Sequence, residues 1–125
     1  MLTSKFYRQQ KRPSGSHAKD AAALSSDIYL VSVAKPAGEV AKAMKHYPTV
    51  ARSHNMVVTM ANFVGPSDDF LSVGQSAAWN TRGELLAQID AESEGIVVLD
   101  IQSGSAGVKL ADATIHATDC EVKYR

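Results

Sequence analysis

The chain has 125 residues, and its thirteen basic side chains balance thirteen acidic ones, so it fits one domain and carries no net charge that would attract nucleic acid or an anionic membrane. Hydrophobic residues make up 45% and charged residues 21% of the sequence, a composition typical of soluble globular proteins. No apolar run has the length of a membrane span, and the first residues lack the apolar segment of a secretory signal. The single cysteine, Cys120, excludes an internal disulfide and favours a reducing compartment, so we expect a cytoplasmic protein.

The start of the chain differs in composition from the rest. Residues 1 to 16 have basic but no acidic side chains and end in the breaker cluster Pro-Ser-Gly-Ser. Because they show no steady hydrophobic period, we predict a disordered basic tail over this range. An RNA-binding tail and an organelle transit peptide are the alternatives, since both use basic residues. The tail lacks the clear amphipathic period of a transit peptide, and we expect neither nucleic acid nor a membrane as a partner.

Two segments have the composition and the period of helices. Residues 17 to 26, "HAKDAAALSS", are rich in alanine and predict a helix with Ala22, Ala23 and Leu24 packed inward. A second helix is predicted over residues 38 to 55, with an apolar stripe formed by Val40, Ala43, Met44, Tyr47, Val50 and Ala51. Pro48 falls inside this second helix, and since proline has no N–H to donate, we expect a kink or a break there.

Five segments predict strands. "DIYLVSVA" (27 to 34) and "MVVTMANF" (56 to 63) are almost wholly apolar, which is typical of strands covered on both faces. "QSAAWN" (75 to 80), "ELLAQID" (84 to 90) and "GIVVLDI" (95 to 101) follow, separated by the turn sequences "TRG" and "AESE". The order predicts a parallel crossover followed by a meander of hairpins, that is, an α/β fold with a mixed β-sheet and two main helices on one face. The opposite face has no helices to cover it.

The stretch "NFVGPSDDF", residues 62 to 70, is either a ligand-binding loop or a turn. A calcium loop would need oxygen ligands at alternating positions beside Asp68 and Asp69, and the stretch lacks them. As a turn it is consistent throughout, because a Gly-Pro pair would end the strand and Phe70 would return to the core. We therefore interpret it as a structural turn without a metal.

Several motifs resemble the carbon–nitrogen hydrolase (nitrilase) superfamily. "ARSHNMVVTMANFVGP" resembles the family segment in which an Ala-Arg helix end leads into a buried strand with Ala-Asn and Val-Gly at its end. "FLSVGQSAAWNTRGELLAQIDAESEGIVVLDI" is similar to the family's Gly-x-Ser strand, Gly-Glu-Leu turn and closing Gly-Ile-Val-Val strand. "HAKDAAALSSDIYLVSVA" resembles the helix and strand that follow the catalytic cysteine elbow. The resemblance covers residues 17 to 101 and divides the chain into a tail (1 to 16), a carboxy-terminal-half domain (17 to 101) and a second tail (102 to 125).

The resemblance implies half of an α-β-β-α sandwich. It also implies a Glu–Lys–Cys triad that hydrolyses nitriles, amides or carbamoyl compounds, with no cofactor and no metal. In the family all three residues precede the matched segment, and the cysteine's position falls within "KFYRQQKRPSGSH", which has none. We therefore expect no catalytic residue in this chain. The end of the strand lies beside the substrate pocket in the family, which implies that Asn62 and Phe63, with Ala34 and Lys35 of the neighbouring strand, line the pocket.

Other residues could form sites of their own. Cys120 has His116 nearby as a possible base, but a free thiol is the simpler interpretation. Ser76 lies in "GQSAA", which lacks the second glycine of a hydrolase nucleophile elbow. His46 and His54 are eight positions apart, too far for a metal pair at one helical turn.

Two hypotheses that involve the matched domain remain, beside a third in which the chain is a basic-tailed binding protein that acts through residues 1 to 16. The first is a fragment of a carbon–nitrogen hydrolase that is inactive alone because its triad lies elsewhere. The second is a non-catalytic interaction module that pairs with an intact homologue or with a separate half. Both predict association, as a homo-oligomer or with a complementary amino-terminal half, because strands that are apolar on both faces would otherwise expose large side chains.

Overall fold

The computed structural model describes residues 6–8 and 17–111. Two helices, α1 (His17–Ala23) and α2 (Ala37–His54), accompany nine strands. The strands are β1 (Phe6–Arg8), β2 (Ile28–Val33), β3 (Val57–Asn62), β4 (Val64–Ser67), β5 (Phe70–Val73), β6 (Ala77–Trp79), β7 (Leu85–Gln88), β8 (Gly95–Leu99) and β9 (Ala106–Leu110). Five of them form a mixed sheet in the order β1-β2-β3-β6-β7, while β4-β5 and β8-β9 form separate two-stranded sheets. The predicted α/β class is confirmed.

The mixed sheet combines a parallel and an antiparallel half. β1, β2 and β3 run parallel, and β2 pairs with β3 over six residues, from Ile28 opposite Val57 to Val33 opposite Asn62. Since α2 connects β2 to β3, the predicted parallel crossover is confirmed. β6 then pairs antiparallel to β3, and β7 antiparallel to β6.

The main core lies between the two helices and one face of this sheet. The sheet contributes alternate residues that point to the same side, which are Tyr29, Val31, Val58, Met60, Ala77 and Trp79. The helices contribute Ala21, Ala43, Tyr47, Val50 and Ala51. Trp79 and Tyr47 have ring centroids 5.9 Å apart near the centre of this core. Both helices therefore cover one face, as predicted.

The opposite face of β2 and β3 differs from the expectation. Its exposed positions are Ser32 and Ala61, while Ile28 is buried. Among the described residues, the large apolar side chains that are exposed lie elsewhere, several of them on β8 and β9. The large apolar side chains of this face are thus buried or half-buried, with small and polar residues at its exposed positions, and the association predicted through this face stays a prediction.

The helices depart from the predictions in two respects. α1 turns Ala21 into the core and packs Ala18 against it, whereas Ala23 and Leu24 are exposed. The expected inward set was therefore shifted by about one position. α2 continues through Pro48 as one element, so the expected break is absent. The helix ends at His54 and is capped by Asn55, which has a left-handed backbone (φ 51°) and donates its N–H to Ala51 O.

Two hairpins occupy places where the sequence predicts other structure. The stretch 62 to 70 is largely a hairpin of β4 and β5, with Asp68 (φ 47°) in its two-residue turn, so the prediction of a simple turn is wrong. Pro66 is tolerated because β4 has a free edge that needs no N–H. β8 pairs with β9 instead of β7, so the predicted meander ends at β7.

The two expected tails are shorter than predicted. Phe6–Arg8 form β1, so the expectation of disorder is wrong for these three residues. β9, at Ala106–Leu110, falls within the segment 102 to 125 that matches no family motif. The remainder of both segments, with His116 and Cys120, lies outside the described residues. In the described part of the chain, no helix is long and apolar enough to cross a membrane.

Candidate functional site at the ends of the parallel strands

The carboxyl ends of β1, β2 and β3 lie at one edge of the sheet. Ligands of open α/β sheets bind preferentially at this edge, because the connecting loops diverge there. The four residues that the family resemblance assigns to a pocket, Ala34, Lys35, Asn62 and Phe63, all follow or end these strands. The fold therefore brings all four to the same edge, which is the placement expected for a shared site.

Asn62 is the centre of this edge. It is buried, and its side-chain amide makes three hydrogen bonds to backbone groups. Asn62 Oδ1 accepts from Lys35 N at 2.8 Å, and Asn62 Nδ2 donates to Lys35 O at 3.1 Å and to Gly74 O at 2.8 Å. The amide therefore ties the end of β2 to the segment that follows β5, and its own donors and acceptor are used within the protein.

Ser76 fixes the backbone of Asn62 from the other side. Ser76 Oγ accepts from Asn62 N at 2.9 Å and lies 3.3 Å from Asn62 O, to which it donates. The loop after β7 packs here too, since Gln75 N donates to Asp90 O and Ile89 N donates to Ser76 O. Ser76 is thus a structural residue, and the structure gives it no role as a nucleophile.

Phe63 and Ala34 are exposed at this edge, and Lys35 is half-buried. The backbone of Phe63 is held on both sides, because its N–H donates to Val33 O and its carbonyl accepts from Gly74 N. Phe63 is nevertheless 52% exposed to solvent. Of the four residues, Asn62 orders the site from within, while the other three present side chains at its surface.

The edge holds no complete catalytic set among the residues described. Asn62 and Ser76 are consumed by internal hydrogen bonds, and Lys35 has no acidic or thiol partner in any ion pair or hydrogen bond found there. No group of three or more His, Cys, Asp or Glu in the described ranges could hold a metal ion, and Asp68 and Asp69 occupy a hairpin turn. The described residues of this edge thus offer an exposed aromatic ring and a half-buried lysine beside an amide that is satisfied internally.

The histidines on the helices do not assemble a site. His46 lies against the ring of Tyr47, with centroids 5.2 Å apart, and His54 ends α2. His17 is buried at the start of α1, where its Nδ1 atom has no hydrogen-bond partner in the structure. None of the three lies on a strand end at the candidate site.

Two residues of the site, Gly74 and Gln75, were not identified from the sequence. Gly74 and Gln75 have left-handed backbones (φ 59° at both), and they carry the chain from β5 to β6 around Asn62. A side chain at Gly74 would meet the Val64 methyl at 2.6 Å, which explains the glycine. A positive φ at the non-glycine Gln75 is uncommon and is found at sites where surrounding contacts fix the backbone. The "VGQS" sequence carries a weak signal for this turn, since glycine is the usual residue at positive φ.

Among the residues that the structure describes, two side chains have shifted pKa values, and neither belongs to the pocket-lining set. Burial raises the pKa of Tyr47 to about 12. The Ser93 hydroxyl and the backbone N–H groups of Glu92 and Ser93 lower the pKa of the exposed Asp90 carboxyl. Both shifts arise from local structure, a core position and a turn, so they do not mark catalytic groups.

Comparison with known proteins supports the fold. No protein-family model and no curated protein sequence matches the chain. A glutamine-dependent NAD+ synthetase of Acinetobacter baumannii, solved with ADP, superposes with a TM-score of 0.62 at 22% identity, covering 82% of this chain and 20% of that one. A mutant of the nitrilase-superfamily amidase of Nesterenkonia AN1 superposes with a TM-score of 0.58 at 20% identity, covering 88% of this chain and 36% of that one.

A CN-hydrolase superfamily protein of Xanthomonas campestris is a third match, with a TM-score of 0.51 at 17% identity over 80% of this chain and 33% of that one. The chain thus spans between 20% and 36% of the length of these proteins. At such identities the likeness establishes the fold, and the resemblance to the carbon–nitrogen hydrolase superfamily is confirmed at that level.

Proposed function

We propose that this chain contributes one wall of the substrate pocket in a carbon–nitrogen hydrolase that cleaves small, non-peptide amides. The observation that carries the proposal is the convergence of Lys35, Asn62 and Phe63 at the carboxyl edge of three parallel strands. In this proposal the Glu, Lys and Cys of the triad come from outside the segment that resembles the family, so the chain alone binds substrate without hydrolysing it.

The substrate class is suggested by two neighbours. The Nesterenkonia amidase has been solved as a double mutant with acrylamide and as a single mutant with butyramide. Both ligands are small amides with a short apolar acyl group. We transfer this class to the present chain because the edge at Phe63 presents an apolar surface, which suits an acyl group better than a charged one.

Amide binding tests the proposal directly. Butyramide titrated into the isotopically labelled full chain should shift the backbone amide signals of Lys35 and Phe63 and the side-chain amide signals of Asn62. Backbone signals on β8 and β9 should stay unchanged and serve as the internal control. Saturating shifts confined to other regions, or none up to the solubility limit of butyramide, would overturn the proposal.

The absence of catalysis is a separate test. The purified chain should release no ammonia from nitriles, amides or N-carbamoyl compounds above a heat-killed control, because the resemblance assigns no triad member to it. The variant Cys120→Ser should behave like the wild type. Turnover that disappears in this variant would identify Cys120 as a nucleophile and overturn the assignment of the triad to other residues.

A non-catalytic interaction module is the second candidate function. It is favoured by the two-stranded sheet of β8 and β9, in which Val98 is 54% and Leu110 is 53% exposed. Val98 and Leu110 lie on opposite faces of the hairpin. Leu110 shares a face with its partner Gly95, and Val98, three positions after Gly95 on the same strand, points to the other face. Exposed apolar residues on both faces are typical of an element covered by another chain or another part of a protein. Self-association without amide binding would favour this function over the first.

A further inference from the structure

Phe63 combines two properties that rarely occur together on a surface. Its ring is exposed, while hydrogen bonds of 3.1 Å to Val33 O and 3.0 Å from Gly74 N hold its backbone on both sides. The neighbouring Asn62 is clamped through its side chain and its backbone. An exposed aromatic side chain on a fixed backbone loses little conformational entropy when a ligand packs against it.

Gly65 supports the ring. It has a positive φ of 124°, which side chains rarely adopt, and Phe63 Cε1 and Cζ lie 3.5 and 3.7 Å from the position that a Cβ atom would take. The ring therefore lies on the side of Gly65 where another residue would carry its Cβ atom. A side chain at this position would strain the backbone and contact the ring.

The amide of Asn62 and the hydroxyl of Ser76, the described uncharged polar groups next to Phe63, are already engaged. The amide of Asn62 bonds to Lys35 and Gly74, and the hydroxyl of Ser76 bonds to Asn62. A ligand that approaches the ring thus meets an apolar surface at this point, without a free amide or hydroxyl beside it. Such a surface recognises an alkyl group better than a polar one, because a polar group buried here would lose its hydrogen bonds to water.

We propose that Phe63 determines specificity by contacting the acyl chain of the amide substrate, so that linear aliphatic amides are bound in order of chain length. This inference rests on the proposed function and deepens it. Each methylene that the ring covers should tighten binding by about two- to fourfold, the upper value corresponding to full burial of the group. The order of affinity should therefore be acetamide, propionamide, butyramide and pentanamide, with pentanamide the tightest.

The test is a titration of the full chain with these four amides and with the matching linear alcohols. Binding is monitored through the backbone amide signals of Lys35 and Phe63. Phe63→Ala should abolish the dependence on chain length, and Phe63→Leu, which keeps an apolar surface, should retain part of it. Gly65→Ala keeps Phe63 but strains the backbone beside it, because Gly65 has a positive φ, so the shifted ring should show a weaker dependence as well. Leu71→Ala is the matched control, because Leu71 is also exposed, at 59%, on the neighbouring strand β5.

The outcomes separate the two proposals. Amide binding whose chain-length dependence is unchanged in Phe63→Ala would overturn the role of Phe63 and leave the proposed function standing. If alcohols shift the signal of Phe63 in order of chain length and amides bind no better, the role of Phe63 as an alkyl contact is supported and the proposed function fails. Binding of neither series would overturn both.

Discussion

The side-chain amide of Asn62 binds both the N–H and the carbonyl of Lys35, as a neighbouring β-strand would. It does so just beyond the end of β2, where Lys35 O also accepts from Val73 N of β5. The same amide donates to Gly74 O, so one buried side chain joins two segments that are 27 and 12 positions away in sequence. The geometry of the candidate site depends on this one residue, because Phe63 follows it directly.

Exchanging the amide for a carboxylate tests this dependence. Asn62→Asp keeps an acceptor for Lys35 N but places negative oxygen against two carbonyls, so we expect a loss of about 2–4 kcal/mol in the free energy of unfolding at pH 7. The same repulsion raises the pKa of the introduced carboxyl in the folded state. Its neutral form is then favoured on folding, so the loss should shrink as the pH falls through that raised pKa.

Urea denaturation at pH 7 and at pH 4 measures this effect. Asn62→Ala is the control, because it removes all three hydrogen bonds and introduces no titratable group, so its loss relative to wild type should not change between the two pH values. If both variants lost the same free energy of unfolding at both pH values, the hydrogen bonds donated by Asn62 Nδ2 to Lys35 O and Gly74 O would make no specific contribution to stability.

Gly83 lies against the carbonyl of Pro48 in α2. A Cβ atom at Gly83 would be 2.7 Å from Pro48 O, and the backbone has a positive φ of 78°. Gly104 has a similar φ of 73° but open space around it. Gly104→Ala should therefore show the cost of the backbone alone, about 1 kcal/mol, and Gly83→Ala should lose about 1–3 kcal/mol more. Chemical denaturation of the two variants side by side checks the difference, and equal losses would contradict the contact.

Tyr47 predicts alkaline sensitivity. Its pKa is raised from 10.0 to about 12 by burial, so the neutral phenol is favoured in the folded state. This contribution to stability is fully present below pH 10 and is lost as the pH rises to about 12. The loss should reach at most about 2–3 kcal/mol. Unfolding free energies measured between pH 9 and pH 12 should fall less steeply in Tyr47→Phe than in wild type, and parallel curves would contradict the assignment.

The hairpin of β8 and β9 predicts self-association. Val98 and Leu110 are exposed on opposite faces of it, so Val98→Lys and Leu110→Lys together should reduce association and binding of a dye that reports exposed apolar surface. Leu24→Lys is the matched control, because Leu24 is 65% exposed at the end of α1. Sedimentation velocity at micromolar concentration measures the change. A wild-type monomer that binds no dye would contradict the prediction.

The sequence predicts the elements with strong periods and misses those that depend on tertiary contacts. Both helices and the strand pair β2 and β3 were predicted because apolar stripes and runs determine them. The hairpin of β4 and β5 was missed because the Gly-Pro pair indicates a strand end, and only the free edge of β4 makes Pro66 acceptable inside a strand.

The candidate site likewise has a part that the sequence predicted and a part that depends on tertiary contacts. The positions of Lys35 and Asn62 were implied by the family resemblance, and the structure brings them into contact. The hydrogen bonds of Asn62 to Gly74 could not be derived, because no local pattern relates two residues 12 positions apart across a hairpin. The use of Ser76 as an acceptor for Asn62 N was missed for the same reason.

β1 has a consequence for any shortened form of the protein. Its three residues pair with Ile28, Tyr29 and Leu30 and, within the described ranges, cover this edge of β2. Removing the first eight residues would leave a nearly apolar strand with its hydrogen-bonding groups unpaired, which is the template on which fibrils grow. Such a shortened form should therefore aggregate through this edge, visible as light scattering that increases with time.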